Sequence, residues 1–207
     1  FDLSQFLAEV EREVLDALDC DFVMLPMQVL PLELPRRGWK AFTFWNRETY
    51  LVPEDFHPIV QSDGSLLCGH GHPWTVPERR MPPGCRYLER IAYPEISTAD
   101  FALPHIEPED WQLPMPFTEE YLRIEEENAR TLFASTQRAI VSSGCIGVPI
   151  GYGGLIGWAM KMRTDPEHAR DRLAAEAEGY ARRAGQYLQA VGRYIEVLVL
   201  STHDFGT

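Results

Sequence analysis

The chain has 207 residues, enough for one large domain or two small ones. Hydrophobic residues at 45%, charged residues at 24% and aromatics at 11% can bury a core, which excludes disorder as a class. Acidic residues outnumber basic ones 31 to 19, and a net charge of −12 excludes binding of nucleic acid or an anionic membrane surface by bulk electrostatics.

Ser4 suits a helix cap, and Phe6, Leu7, Val10, Val14, Leu15 and Leu18 recur at helical spacing behind a wet face of Glu9, Glu11, Glu13 and Asp16. The apolar run Phe22-Val23-Met24-Leu25, stopped by Pro26, reads as a strand buried on both faces, as in a parallel sheet. Between Pro31 and Pro116 the character changes. This stretch holds most of the prolines and four of the five tryptophans, and it has little helical periodicity. Trp39 to Val52 alternates around a turn at Asn46-Arg47-Glu48. Asp63-Gly64 predicts a hairpin between Pro58-Ile59-Val60 and Leu66-Leu67-Cys68. The expectation is a β-meander of roughly three to five short strands. An irregular Pro-rich stretch from Pro94 to Pro116 then wraps a surface, anchored by Trp111 and Phe117.

Helical periodicity returns at Thr118, an N-cap followed by Glu119 and Glu120, and runs to about Ser135. Ala139 to Ser142 reads as a second buried strand, opening into the loop Ser143 to Gly154. Leu155 to Met162 predicts a short helix. Asp165-Pro166 then starts a long one to about Arg193, and Ile195 to Leu200 a third strand. Buried strands separated by helices imply a parallel α/β sheet. The scattered cysteines Cys20, Cys68, Cys85 and Cys145 lack any CxxC pair and read as reduced thiols of a cytoplasmic protein. No basic leader or membrane-length apolar run is visible. The chain opens on Phe1 and stops at Thr207 just past a predicted strand, so a fragment is expected, with more barrel or sheet beyond.

Ligands of parallel α/β proteins sit outside the carboxyl ends of the strands. That rule selects Pro26-Met27-Gln28, the loop Gly144 to Gly154, and Thr202 to Thr207. In the loop, Gly144, Gly147, Gly151, Gly153 and Gly154 let backbone N–H groups approach an anion; a tight strand-to-helix turn explains them equally. Tyr152 within it is a candidate for a substrate hydrogen bond. His203 and Asp204 set two titratable groups at a strand end, one suited to proton transfer and one to holding a cationic or N–H-rich substrate. Neighbouring residues on an extended strand point oppositely, and Asp204 capping a following helix is the plainer alternative.

Cys68-Gly69-His70-Gly71-His72 offers zinc-compatible side chains at a spacing outside the usual patterns, with His57 or Cys85 as a further ligand; a Gly-rich hairpin end is the better reading. Arg79, Arg80, Arg86 and Arg90 suit either a polycarboxylate substrate or the solvation of a loop. The arginines of 163–193 suggest a wet exterior.

Several separated motifs together resemble the uroporphyrinogen decarboxylase-like superfamily. The terminal S-T-H-D-F-G-T resembles that group's strand ending in Asp-Asp-Leu/Phe-Gly-Thr. W-N-R-E-T-Y-L-V-P-E-D-F-H-P followed by D-G-S-L resembles an insertion of its methyltransferase-like branch. The early C-D-F-V-M-L-P and the stretch Leu132 to Val141 also fit.

The resemblance implies a (β/α)8 TIM barrel, incomplete in this chain, forming one domain over 1–207 with 31–117 as a β-rich insertion after the first strand. It implies a cytoplasmic enzyme with a small-molecule substrate. The leading expectation is methyl transfer between a methylated small molecule and a corrinoid carried by a partner protein. Asp204 and His203 would be catalytic, and Tyr152, Gly151, Gly153, Met27 and Gln28 would line the substrate cavity. Zinc would accompany this chemistry, with its ligands beyond Thr207. The alternative is decarboxylation of uroporphyrinogen III to coproporphyrinogen III, a lyase reaction of porphyrin metabolism that needs no cofactor. His203 departs from the family pattern, standing where the first aspartate is expected, while Asp204 keeps the second. A non-catalytic ligand- or partner-binding barrel is the third expectation, and a homodimer is compatible with all three.

Overall fold

The computed structural model describes residues 3, 10–69, 73–74, 76–91, 108, 111, 113–143 and 154–200. In chain order these form α1 (Arg12–Ala17), β1 (Phe22–Met24), β2 (Val29–Leu30), β3 (Leu34–Pro35), β4 (Trp39–Thr43) and β5 (Thr49–Pro53). Then follow β6 (Ile59–Val60), β7 (Leu66–Cys68), β8 (Arg79–Met81), β9 (Glu89–Arg90), α2 (Glu119–Ser135) and β10 (Ala139–Ser142). Last come α3 (Gly154–Thr164), α4 (Pro166–Val191) and β11 (Val197–Leu198). The chain divides into two compact units, Phe1–Asp19 with Met27–Glu95, and Cys20–Pro26 with Ile96–Thr207. The β-rich unit comprises Met27–Glu95 together with the segment that holds α1.

In the first unit the alternation of β4 and β5 sends Phe42, Tyr50 and Val52 inward, in an antiparallel ladder from Trp39↔Pro53 to Thr43↔Thr49. The turn falls at the predicted residues: Asn46 Oδ1 accepts the Glu48 N–H at 3.1 Å, and Phe44 N–H donates to Glu48 O at 3.0 Å. Phe44, Phe56 and Phe42 then meet edge to face, with centroids 4.8 and 5.3 Å from Phe42. Strands β6 to β9 form a four-stranded antiparallel sheet in sequence order. Its first hairpin turns at Asp63-Gly64, where Gly64 takes φ +82°, a conformation that only glycine adopts without strain. Asp63 Oδ1 accepts from Ser65 N–H at 2.9 Å and Ser65 Oγ at 2.6 Å, and those bonds hold its carboxyl below the usual range.

Among the described residues of this unit there are eight strands, β2 to β9, against an expectation of three to five. The extra ones are two or three residues long, too short to carry an alternation signal. Helix α1 also departs from expectation. The stripe Val10, Val14 and Leu18, read as its core face, is exposed, and no residue of α1 is buried.

In the second unit β1, β10 and β11 form a parallel sheet in that order, with Phe22 opposite Ala139, Met24 opposite Val141 and Val141 opposite Val197. The sheet is open, and no barrel closes among the described residues. Thr118 caps α2 by accepting the Tyr121 N–H at 3.2 Å, and Asp165 with Pro166 starts α4, as their types predict. Helices α2 and α4 pack together. Leu122, Ala129 and Leu132 of α2 and Tyr187 and Val191 of α4 form one core with Val23, Leu25, Ile140 and Leu198. Each fully buried side chain of this kind contributes about 1.5–3 kcal/mol.

The opposite face of the sheet corrects the reading of strands buried on both sides. Phe22 is 51% exposed, Met24 46%, Val197 45% and Val199 38%. Steps from β1 to β10 to β11 run in one direction, and right-handed crossovers of that kind bring both helices to the same face.

Residues 113–117, at the end of the stretch expected to wrap a surface, run as a strap along α4, while most of 94–112 lies outside the described residues. Arg183 Nη1 donates to Met115 O at 3.1 Å, its guanidinium lies 4.1 Å from the Phe117 ring, and Phe117 N–H donates to Gln186 Oε1 at 3.1 Å. Trp111 meets His168 edge to face at 5.5 Å. A Cβ on Gly179 would stand 3.0 Å from Pro114 Cδ, so glycine is what lets the strap lie this close.

Candidate functional site

The three strands of the second unit are co-directional, so Leu25, Ser142 and Leu198 mark one shared carboxyl edge. Backbone bonds hold that edge together: Leu25 N–H donates to Val141 O at 2.8 Å, and Val199 N–H to Ser142 O at 2.7 Å. The sites read from the sequence mostly follow these strand ends. His203, Asp204, Gly151, Tyr152 and Gly153 lie outside the described residues. Met27 and Gln28 are described and belong to the first unit. Met27 is exposed, and Gln28 O accepts the Arg36 N–H at 2.8 Å, which ties it to the end of the β2–β3 hairpin.

A polar chain at the strand edge was not read from the sequence. Tyr187 Oη on α4 donates to Glu125 Oε2 on α2 at 3.3 Å, and bonds Ser142 Oγ on β10 at 2.7 Å. All three residues are buried, and Tyr187 belongs to the core formed with Ala129, Ile140 and Val191. With the Tyr187 O–H donating to the carboxylate, the phenol oxygen can accept from the Ser142 hydroxyl. The signal was available. Leu122, Glu125, Ala129 and Leu132 share one helical stripe, so the period that marks the core face of α2 passes through a glutamate.

A second polar cluster lies on α4 and the end of α3. Arg172 Nε donates to Glu176 Oε1 at 2.8 Å with both side chains buried, which corrects the reading of the 163–193 arginines as a uniformly wet face. Lys161 Nζ lies 3.0 Å from Asp165 Oδ2, and its hydrogen bond, with the His168 N–H, holds the Asp165 carboxyl below the usual range. These charges are paired with one another, which is how a folded chain tolerates them out of water.

In the first unit, Leu32, Leu34, Asp55, Phe56, His57, Cys68 and Trp74 line a small hollow. Lys40 Nζ stands 3.3 Å from His57 Nδ1 at the surface. Burial pushes the Cys68 thiol up to about 12, so it is neither a thiolate nucleophile nor a ready ligand at neutral pH. His70 and His72 lie outside the described residues. Among the described residues no three His, Cys, Asp or Glu side chains are grouped to hold a metal ion. Arg80 pairs with Asp63 at 2.7 Å, with both side chains about half exposed. Among the described residues no helix is long and apolar enough to cross a membrane.

Comparison with protein families, curated proteins and solved structures gave no match.

Proposed function

We propose that this chain is part of a (β/α)8 barrel enzyme of the uroporphyrinogen decarboxylase-like superfamily, and that the enzyme moves a methyl group between a methylated small molecule and a corrinoid on a partner protein. One observation supports this reading above the others. Of the four segments that resemble the superfamily, the early C-D-F-V-M-L-P contains β1, Leu132 to Val141 runs into β10, and S-T-H-D-F-G-T follows β11 in the chain, and these three strands are adjacent and co-directional. In parallel α/β enzymes the carboxyl edge of such strands carries the chemistry.

On this reading Asp204 orients the substrate through its carboxylate, and His203 exchanges a proton with the heteroatom that loses the methyl group. That atom keeps the bonding pair and needs a proton near neutral pH. Tyr152, Gly151 and Gly153 line the cavity, with Met27 and Gln28 following the first strand.

The test uses the full-length gene product under anaerobic conditions, with cob(I)alamin as acceptor and a panel of methylated amines, thioethers and aryl methyl ethers as donors. Methyl-cobalamin formation, reduced about 100-fold or more in His203→Ala and Asp204→Asn, is the expected result. Coproporphyrinogen formed from uroporphyrinogen, with no methyl transfer, would overturn it in favour of decarboxylation.

A further inference from the structure

We infer that Glu125, Tyr187 and Ser142 are positioning residues that fix the carboxyl tips of β10 and β11, the strand ends after which the proposed catalytic and cavity residues follow in the chain. The inference rests on the functional reading above for its consequence, but on the geometry alone for its cause.

Ser142 is the last residue of β10 and is held from two directions. Its carbonyl accepts the Val199 N–H at 2.7 Å, which pins β11 beside it. Its hydroxyl bonds Tyr187 Oη at 2.7 Å, and Tyr187 reaches on to Glu125 Oε2 at 3.3 Å. One hydrogen-bonded chain therefore ties a strand tip to both covering helices. Gly151, Tyr152 and Gly153 come nine to eleven residues after Ser142 in the sequence, and His203 and Asp204 three and four after Leu200.

The setting makes a purely space-filling role a poor account. Glu125 and Ser142 are each 2% exposed and Tyr187 1%, with Tyr187 in the apolar core, and a carboxylate is costly to bury. Leu, Ala and Phe at these three positions would fill comparable space without that cost, as they do elsewhere in cores. A directional chain instead fixes distance and angle at the tip, which apolar packing alone does less sharply. Misplacing a reacting group by about 1 Å can cost about 100-fold in rate.

The experiment uses full-length protein and compares wild type with Tyr187→Phe and Ser142→Ala, measuring amide hydrogen exchange and steady-state methyl transfer. In Tyr187→Phe the Val199 amide, bonded to Ser142 O, should exchange at least tenfold faster. The Ala139 and Glu196 amides, bonded at the other end of the sheet, should change less than threefold. The kcat should fall about tenfold or more with little change in KM, and Glu125→Gln, which keeps an acceptor for Tyr187, should retain most of it. Equal acceleration of all three amides, or none, would overturn the inference, as would a loss in Glu125→Gln matching that in Glu125→Leu. Should Tyr187→Phe not fold, Ser142→Ala carries the same comparison. Wild-type protein that transfers no methyl group would sink the functional reading, while the exchange pattern would still decide this one.

Discussion

Strand pairing in the first unit joins sequence neighbours throughout, β2 with β3, β4 with β5, and β6 through β9 in order. Pairing in the second unit joins Phe22 to Ala139 and Val141 to Val197, segments far apart in the chain. Short loops cost little closure entropy, so the first unit can assemble from hairpins and then collapse on its aromatic rings. The parallel sheet has no such route. Its strands meet only once α2 and α4 have crossed over and packed, and those helices cover one face. The difference teaches where each unit is vulnerable: the first through its aromatic centre, the second through the helices and strap that bring distant strands together.

The sharpest way to break the comparison is Phe44→Ala. Phe44 is buried and meets Phe42, Tyr50 and Phe56. Removing an aromatic ring from such a site costs about 3–5 kcal/mol. Chemical denaturation should show that loss in the near-ultraviolet signal of the first unit, which holds Trp39, Trp45 and Trp74. An effect below about 1 kcal/mol would mean the aromatic cluster does not carry the unit.

Next in size is a dependence on alkaline pH. The Cys68 thiol is pushed up to about 12 by burial, above the ordinary value of about 8.5 it has when unfolded. Between those values the unfolded chain loses the proton and the folded chain keeps it, so stability falls as pH rises, by about 1.4 kcal/mol per pH unit. Below about pH 8 the contribution is fully present. Wild type should therefore lose stability relative to Cys68→Ala as pH is raised from 9 to 11, measured by urea denaturation of both proteins. Parallel curves would remove burial of the thiol as the cause.

The second unit's strap offers the third test. A methyl at Gly179 would stand 3.0 Å from Pro114 Cδ and 3.4 Å from two more atoms of that ring. Glycine to alanine in an open helix interior stabilises by up to about 1 kcal/mol. Here the strap must shift, and Gly179→Ala should instead destabilise by about 1–3 kcal/mol. Gly185→Ala, with open space at the same kind of position, should stabilise. Opposite signs in thermal melts would support the close approach, and equal signs would remove it.

Local chemistry explains how much of this was legible beforehand. The Asp63-Gly64 and Asn46-Arg47-Glu48 turns, the Thr118 and Asp165 caps and the strand Ala139–Ser142 each announce themselves within a few residues, and each lies where the sequence put it. The two-residue strands did not, because hydrogen bonding to a neighbour defines them and no residue type does. Of the predicted site, Met27 and Gln28 are described and sit by the β2–β3 hairpin, while the others follow strand ends that are themselves in register. Glu125 was passed over because a glutamate on a helix is read as solvated unless its place in the apolar period is counted. Burial on both faces was over-read at Phe22–Leu25, since a short continuous apolar run says nothing of how many layers cover it.

The smallest expected effect probes that last point. Phe22 and Val23 are adjacent on β1 and point to opposite faces, Phe22 outward and Val23 against the helices. If the outward face is as bare in solution as its exposures indicate, Phe22→Thr removes little buried apolar area and keeps a β-branched side chain on the strand. It should then change stability by no more than about 0.5 kcal/mol, as surface substitutions do. Ile140→Thr, one strand over and on the helix-covered face, loses a nearly fully buried apolar group and leaves a hydroxyl in the core, at about 2 kcal/mol or more. Urea denaturation of the two variants measures the difference between faces directly. A Phe22→Thr cost approaching that of Ile140→Thr would mean that the outward face is covered in solution, and the contrast between a one-sided parallel sheet and a self-contained aromatic unit would have to be redrawn.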